Sequence, residues 1–390
     1  MRRLHVFQAL ARMGTRGLGM REIGIGIIGG GYMGKAHAVA MAAVGAVFEL
    51  TLRPRLEMVC ATSDASAKAY QQAYGFQSST ADWRELVHNP KVEAIIIASP
   101  QDTHHEIAMA AIAAAKPVFC EKPMGISLEQ ARSMTEAAEA AGIVNMVGYN
   151  YIRTPASQFA RKLIANGEIG KVIWYRGEHT EDFLADANAP ANWRTRTWAS
   201  GNTGDLAPHP INAALALAGP IEAVNGYWQT VYQERPTSSG AEQVQNDDQS
   251  QLMVRFANGA MGHIFASRVS HGRKMGYAYE ITGTKGAIRF DQEDQNTLWL
   301  YRAEGPEATR GFVKILAGPA HPDFLPFCQG PGHGTGYQDQ IIIEAKDFLS
   351  AIERGKSIFP CFRDGLEVLR VAEAGTKSHA MGSWQNISDF

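Results

Sequence analysis

"IGIGIIGGGYMG", residues 23–34, decides how the rest of the chain is read. Its first half is a β-rich run of isoleucine and glycine, and its second half holds Gly29-x-Gly31-x-x-Gly34. Glycines at that spacing let a chain turn tightly and bring backbone N–H groups against a pyrophosphate, while the N-terminus of a following helix favours its negative charge. "GKAHAVAMAAVGAV" (34–47) supplies that helix. Strand, glycine turn and helix in this order point to dinucleotide binding, with Tyr32 and Met33 in the cofactor-facing turn; the plainer alternative is a turn that only packs a helix close to a sheet.

Working outward, strands and helices keep alternating. "RLEMVCAT", "VEAIIIASP", "PVFCEKP" and "VNMVGYN" read as strands, separated by helical stretches such as "HHEIAMAAIAAAK" and "SLEQARSMTEAAEAAG". Apolar strands alternating with amphipathic helices predict a parallel sheet covered on both faces, here a Rossmann domain over residues 21–149. Beyond residue 150 the rhythm changes to alternating strands, with a hairpin signal at Asn258-Gly259 and a second hairpin in "YAYEITGTKGAIRF". Residues 150–390 are therefore expected to form an α+β domain with an open-faced, mostly antiparallel sheet, its last helices free to pack back on the first domain. The overall class is α/β.

The whole chain has 390 residues, 45% apolar and 19% charged, with a net charge of −2, which suits two globular domains and offers no basic surplus for nucleic acid or an anionic membrane. Four scattered cysteines without metal or redox spacing fit reduced thiols in a cytoplasmic protein. No apolar stretch reaches the roughly 18 residues of a membrane span. Residues 1–20 are basic and weakly amphipathic; they read as an upstream start outside the fold, a targeting peptide being the alternative.

Ligands of open parallel sheets bind outside the carboxyl ends of the strands. Those ends bring Ser99, Pro100, Glu121, Lys122 and Asn150 to one crevice as candidate cofactor contacts. Adjacent strand residues point to opposite sides, so Glu121 and Lys122 are poor partners for each other. Near the end of the second strand Asp64 is the candidate for the adenosine ribose, or else a helix cap; no arginine beside it would hold a 2′-phosphate, so NAD is expected rather than NADP. Asp205 and His209 stand four residues apart, a spacing that shares one helical face, although Pro208 and Pro210 interrupt a regular turn. Taken alone, His209 reads as a helix cap or surface residue; beside a dinucleotide fold and an unpaired Lys122, an acid/base role is the better reading, with Asp205 orienting the imidazole or binding a neighbouring hydroxyl. Nothing here requires a metal: His104 and His105 are adjacent and face different ways.

"GIIGGGYMGKAHA", "ASPQDTHHEIA", "CEKP" and "GDLAPHPINAALAL" together resemble the glucose–fructose oxidoreductase/inositol dehydrogenase (Gfo/Idh/MocA) family over about residues 22–380. The resemblance implies NAD, a Lys122 that touches the reacting hydroxyl, a His209 that acts as acid/base, and a His104 near the cofactor or simply at a helix start. "DFLADANAPANWRTR" further resembles the branch that oxidises cyclic polyols and unphosphorylated pyranoses, with Trp193 and Arg194 on the cofactor or the substrate. The leading expectation is oxidation of scyllo-inositol or an L-sugar, with levoglucosan or another pyranose second. An oxidoreductase or redox glycosidase with tightly held NAD, and a non-catalytic sugar sensor, are the other classes. A hydroxyl-rich ring calls for several donors and an aromatic face, for which Tyr151, Arg153, Arg196, His333 and Tyr337 are candidates beside Lys122, Asp205 and His209. Tyr277, Tyr279 and Ile281 suggest an apolar sheet face for a homodimer or homotetramer.

Overall fold

Six parallel strands build the first sheet: β1 (Arg21–Ile28), β2 (Leu52–Cys60), β3 (Ser78–Thr80), β4 (Ala94–Ile97), β5 (Val118–Glu121) and β6 (Asn145–Gly148), in the spatial order 3-2-1-4-5-6. The computed structural model describes residues 20–327 and 330–390; the expectations for residues 1–19 and for Cys328 lie outside them. Helices α1 (Tyr32–Val47), α2 (Asp64–Tyr74), α3 (Trp83–His88), α4 (His104–Ala113) and α5 (Leu128–Ala140) connect the strands. All four residues of β4 are 0% exposed, which is why its sequence is an unbroken apolar run rather than an alternation. Ser63 caps α2 by accepting from the Ser66 N–H, and Gly75 at φ 77° ends it. The strand order reverses between β1 and β4, which opens a crevice at their carboxyl ends.

The second domain begins with α6 (Pro155–Ala165) and β7 (Val172–Thr180). Two short helices, α7 (Asn202–Asp205) and α8 (Pro208–Ala218), precede β8 (Ile221–Gln229) and a small hairpin of β9 (Glu234–Thr237) and β10 (Gly240–Gln243). Strands β11 (Gln249–Phe256), β12 (Met261–Ser267), β13 (Gly276–Gly283), β14 (Gly286–Asp291), β15 (Thr297–Arg302) and β16 (Val313–Leu316) follow, and β17 (Gln385–Asn386) closes a nine-stranded sheet of order 16-15-14-13-7-12-11-8-17. Among the described residues only the central β7–β12 pair of this sheet is parallel. The turn at Asn258-Gly259 joins β11 to β12, with Gly259 at φ 85°.

One face of this sheet is covered by α6, α8 and a late helix, α10 (Phe362–Met381). Tyr277, Tyr279 and Ile281 point into that covered face, 1%, 2% and 0% exposed, and the Tyr279 hydroxyl lies 2.9 Å from that of Ser157. They are core residues, so the expectation of an apolar face there for another subunit is corrected. The open face carries Tyr227, Met253, Met261 and Phe265 beside Arg176, Glu178 and Glu280. Helix α9 (Tyr337–Arg354) lays Ile341, Ile343 and Phe348 into the core of the first domain, and α10 packs on both β8 and α5. The two sheets thus share their packing, which fixes the cleft between them. Among the described residues no helix is long and apolar enough to cross a membrane.

Candidate active site

The glycine turn lies between β1 and α1. Gly29 sits at φ 125°, and a Cβ there would stand 2.2 Å from the Ala98 carbonyl oxygen; a Cβ on Gly34 would stand 2.0 Å from the Gly29 oxygen. Both glycines are demanded by the protein's own packing. Gly31 differs: a Cβ there meets nothing within 4 Å, and the residue is the N-cap of α1 with no side-chain cap. A helix N-terminus beside an open, side-chain-free turn fits a pyrophosphate. The Tyr70 hydroxyl holds the back of the turn through the Gly31 carbonyl at 3.1 Å. Asp64 is the first residue of α2, exposed beside the end of β2, while the cap is Ser63 rather than Asp64.

Glu121 and Lys122 leave the end of β5 in opposite directions. The buried Glu121 carboxylate meets His37 Nε2 at 2.7 Å inside the first domain. Lys122, followed by a cis bond to Pro123, reaches into the cleft and donates to Asp205 Oδ1 at 2.6 Å and to the Asp205 carbonyl at 3.0 Å. Burial pushes the Asp205 carboxyl up, but the charge and hydrogen bond of Lys122, with Arg194 and His179, hold it below the usual carboxylate range. Asp205 ends α7 and His209 lies in the first turn of α8, because Pro208 starts a new helix. The four-residue spacing therefore does not place them on one turn, and the partner of Asp205 is Lys122.

His209 is 4% exposed in an aromatic chamber: its ring centroid lies 4.5 Å from that of Tyr151, 5.9 Å from Tyr149 and 5.2 Å from His179. Burial first, then the charges of Lys122 and His179, pulls the His209 pKa well below the ordinary value. This lowering favours the neutral imidazole, the state a base requires. His179, not foreseen from the sequence, is held by Glu181 Oε1 at 2.9 Å and by the Leu206 carbonyl at 3.2 Å. The signal for it was period-two alternation, since Tyr175, Gly177 and His179 share the inward face of β7.

A cleft of about 420 Å³ is lined by Tyr32, Tyr151, Met275, Gln292, Gln295 and Tyr337. Tyr337 stands 6.0 Å from the Tyr32 ring, and its hydroxyl reaches the Met33 sulfur at 3.5 Å. Arg194 lies over the Trp193 ring at 4.2 Å and acts electrostatically on Asp205, which puts this pair on the rim of the site. His104 bridges the Ser99 and Pro123 carbonyls at 2.9 Å each, tying the ends of β4 and β5 together behind the crevice, while the Ser99 hydroxyl pairs with Thr103 and Pro100 begins the turn into α4. Burial lowers the His104 pKa against the pull of those two carbonyls. Asn150 donates to Gln340 at 3.0 Å.

Three expected substrate residues lie elsewhere. Arg153 is 5% exposed and turned into the body, where its guanidinium pairs with Asp347 and donates to the Phe359 carbonyl. Arg196 is paired outward with Glu242 of β10 at 3.0 and 3.2 Å. His333 is exposed in the stretch just before α9 and is not among the residues lining the cleft. In each case a nearby acidic group or the loop's course sets a direction that residue type alone does not encode.

Residues 23–149 match the family described as "Oxidoreductase family, NAD-binding Rossmann fold", and residues 157–289 match "GFO/IDH/MocA C-terminal domain". The chain is 38% identical to levoglucosan dehydrogenase of Pseudarthrobacter phenanthrenivorans over 94% of its own length and 99% of the relative. It is 26% identical to scyllo-inositol 2-dehydrogenase (NAD(+)) of Bacillus subtilis over 93% and 95% of the two chains. Levoglucosan dehydrogenase in complex with NADH and levoglucosan superposes with a TM-score of 0.91 at 38% identity, covering 94% of this chain and 100% of that one. Cradle, charged crevice and paired domain matches agree: the chain belongs to the Gfo/Idh/MocA family of NAD-dependent oxidoreductases that act on sugar and polyol hydroxyls.

Proposed function

We propose that this enzyme oxidises a secondary ring hydroxyl of an unphosphorylated pyranose or anhydrosugar, with levoglucosan the first candidate and cyclic polyols such as scyllo-inositol the second. The observation that carries the chemistry is the Lys122–Asp205 contact of 2.6 Å, with the Lys122 charge acting on the buried His209 imidazole. The order of substrates rests on the higher identity to levoglucosan dehydrogenase, 38% against 26% for the scyllo-inositol enzyme.

The turn from Gly29 to Gly34 would hold NAD, which would supply the hydride acceptor when bound. Neutral His209 takes the hydroxyl proton on an imidazole nitrogen as the carbon loses its hydride and the carbonyl forms. Lys122 donates to the same oxygen while negative charge develops there. Asp205 holds that ammonium in place through its carboxylate and carbonyl. Asp64 binds the adenosine ribose, His104 keeps the strand ends in register, and the Tyr151 and Tyr337 rings give the sugar's C–H surface an apolar wall. The open sheet face, with Met261 65% and Tyr227 64% exposed, joins subunits into a homodimer or homotetramer.

The test is NAD reduction followed at 340 nm across anhydrosugars, hexoses and inositols. Turnover of levoglucosan above the others supports the proposal; no turnover of any of them ends it.

A further inference from the structure

One wall of the cleft carries amides whose directions are all set by a single backbone carbonyl. Gln295 donates from Nε2 to the Thr335 carbonyl. That choice turns Gln295 Oε1 toward two neighbours, which donate to it through their own Nε2 atoms, Gln292 at 2.6 Å and Gln340 at 2.7 Å. The Oε1 of Gln340 then accepts from Asn150 at 3.0 Å. Reversing Gln295 would set oxygen against the Thr335 oxygen, and reversing Gln292 or Gln340 would set oxygen against Gln295 Oε1. The relay has one direction.

Its unmatched end is Gln292 Oε1, a buried acceptor with no partner among the described residues, on a residue 6% exposed that lines the cleft with Tyr32, Tyr151, Met275 and Tyr337. The Tyr277 hydroxyl is buried and likewise unpartnered among the described residues, so it does not satisfy this oxygen. A buried acceptor left unmet is costly, and a ligand that brings a donor removes that cost on binding. We infer that Gln292 reads a second hydroxyl of the substrate ring, distinct from the one oxidised, and takes it as a hydrogen-bond donor. This rests on the sugar reading of the cleft and sharpens it: the substrate must carry a free hydroxyl at that position, and an ether, fluoro or deoxy group there is rejected. The relay fixes this polarity by holding the Gln292 amide so that its N–H side faces Gln295.

The experiment uses the full-length enzyme with NAD and the best substrate of the 340 nm survey, compared with its monodeoxy and monofluoro analogues at every ring position other than the oxidised one. Fluorine cannot donate, so at one position the deoxy and fluoro analogues should both lose about 10- to 100-fold in kcat/KM relative to the parent. In Gln292→Leu the parent should fall by about that factor, the analogues should fall little, and NADH affinity should stay at the wild-type value. The analogue series on wild type stands by itself if the variant does not fold. Fluoro analogues matching the parent at every position would overturn the inference, as would Gln292→Leu retaining wild-type selectivity, and both leave the sugar dehydrogenase reading intact. Absence of turnover with every parent sugar and polyol would remove both.

Discussion

Replacing Lys122 by Met separates the charge of this side chain from its bulk. In the structure the ammonium has two contacts, both to Asp205, and the two side chains are only 18% and 16% exposed. Two effects follow. The developing oxyanion loses its nearest cation, a loss of about 10²–10³ in kcat, or about 2.7–4 kcal/mol. The Asp205 carboxylate also loses the charge that holds its pKa down, and stranding one member of such a pair costs about 3 kcal/mol of stability. The assays are steady-state NADH formation, NADH binding by fluorescence, and urea unfolding on Lys122→Met, Asp205→Asn and the double variant. The double variant should recover most of the lost stability, since no charge is stranded, yet remain as slow as Lys122→Met. NADH affinity should be unchanged throughout. A Lys122→Met enzyme within about threefold of wild-type kcat would refute this reasoning, and so would a double variant that regains activity.

Other outcomes follow from the same geometry. If His209 is the base, the acid limb of kcat/KM lies below the ~6.5 of an ordinary histidine, because its pKa is lowered; His209→Ala should cost about 10²–10⁴ in kcat and abolish that limb. Gly31→Ala should fold with wild-type stability and lose NAD affinity, whereas Gly29→Ala should fail to fold, as its Cβ meets the Ala98 carbonyl; equal thermal stability of the two variants would contradict the cradle. Glu344 is fully buried with both carboxylate oxygens unpartnered among the described residues, and burial, then Glu121, raises its pKa well above the ordinary range. A raised folded-state carboxyl pKa loses stability as pH rises above the unfolded value of ~4.3, so Glu344→Gln should add about 1–3 kcal/mol at pH 8 and little at pH 4, read from urea midpoints. Met261→Glu on the open sheet face should shift light scattering toward the monomer without changing the kcat of active protein.

The first domain was legible because its information is local. The glycine spacing, the uninterrupted β4 run and the alternation of periods each encode backbone geometry within a few residues. Lys122, Asp205 and His209 were legible as residue types, but the pairing of Asp205 with Lys122 rather than His209 depended on Pro208 splitting the segment into two helices. Arg153 and Arg196 turn to Asp347 and Glu242 because an arginine's direction is set by partners distant in sequence. Tyr277, Tyr279 and Ile281 showed the right alternation and the wrong destination: period two tells which residues share a face, not whether that face meets helices or solvent. Gln292 and Gln295 carried no signal, since their role comes from a carbonyl at Thr335 on a distant loop.

The most direct test of the central claim is a structure of the enzyme with NADH and levoglucosan bound. The account predicts one sugar hydroxyl within hydrogen-bonding reach of both Lys122 Nζ and the His209 imidazole, with its carbon facing the nicotinamide. A sugar seated away from both groups, or a nicotinamide lying outside the crevice at the end of β5, would contradict it.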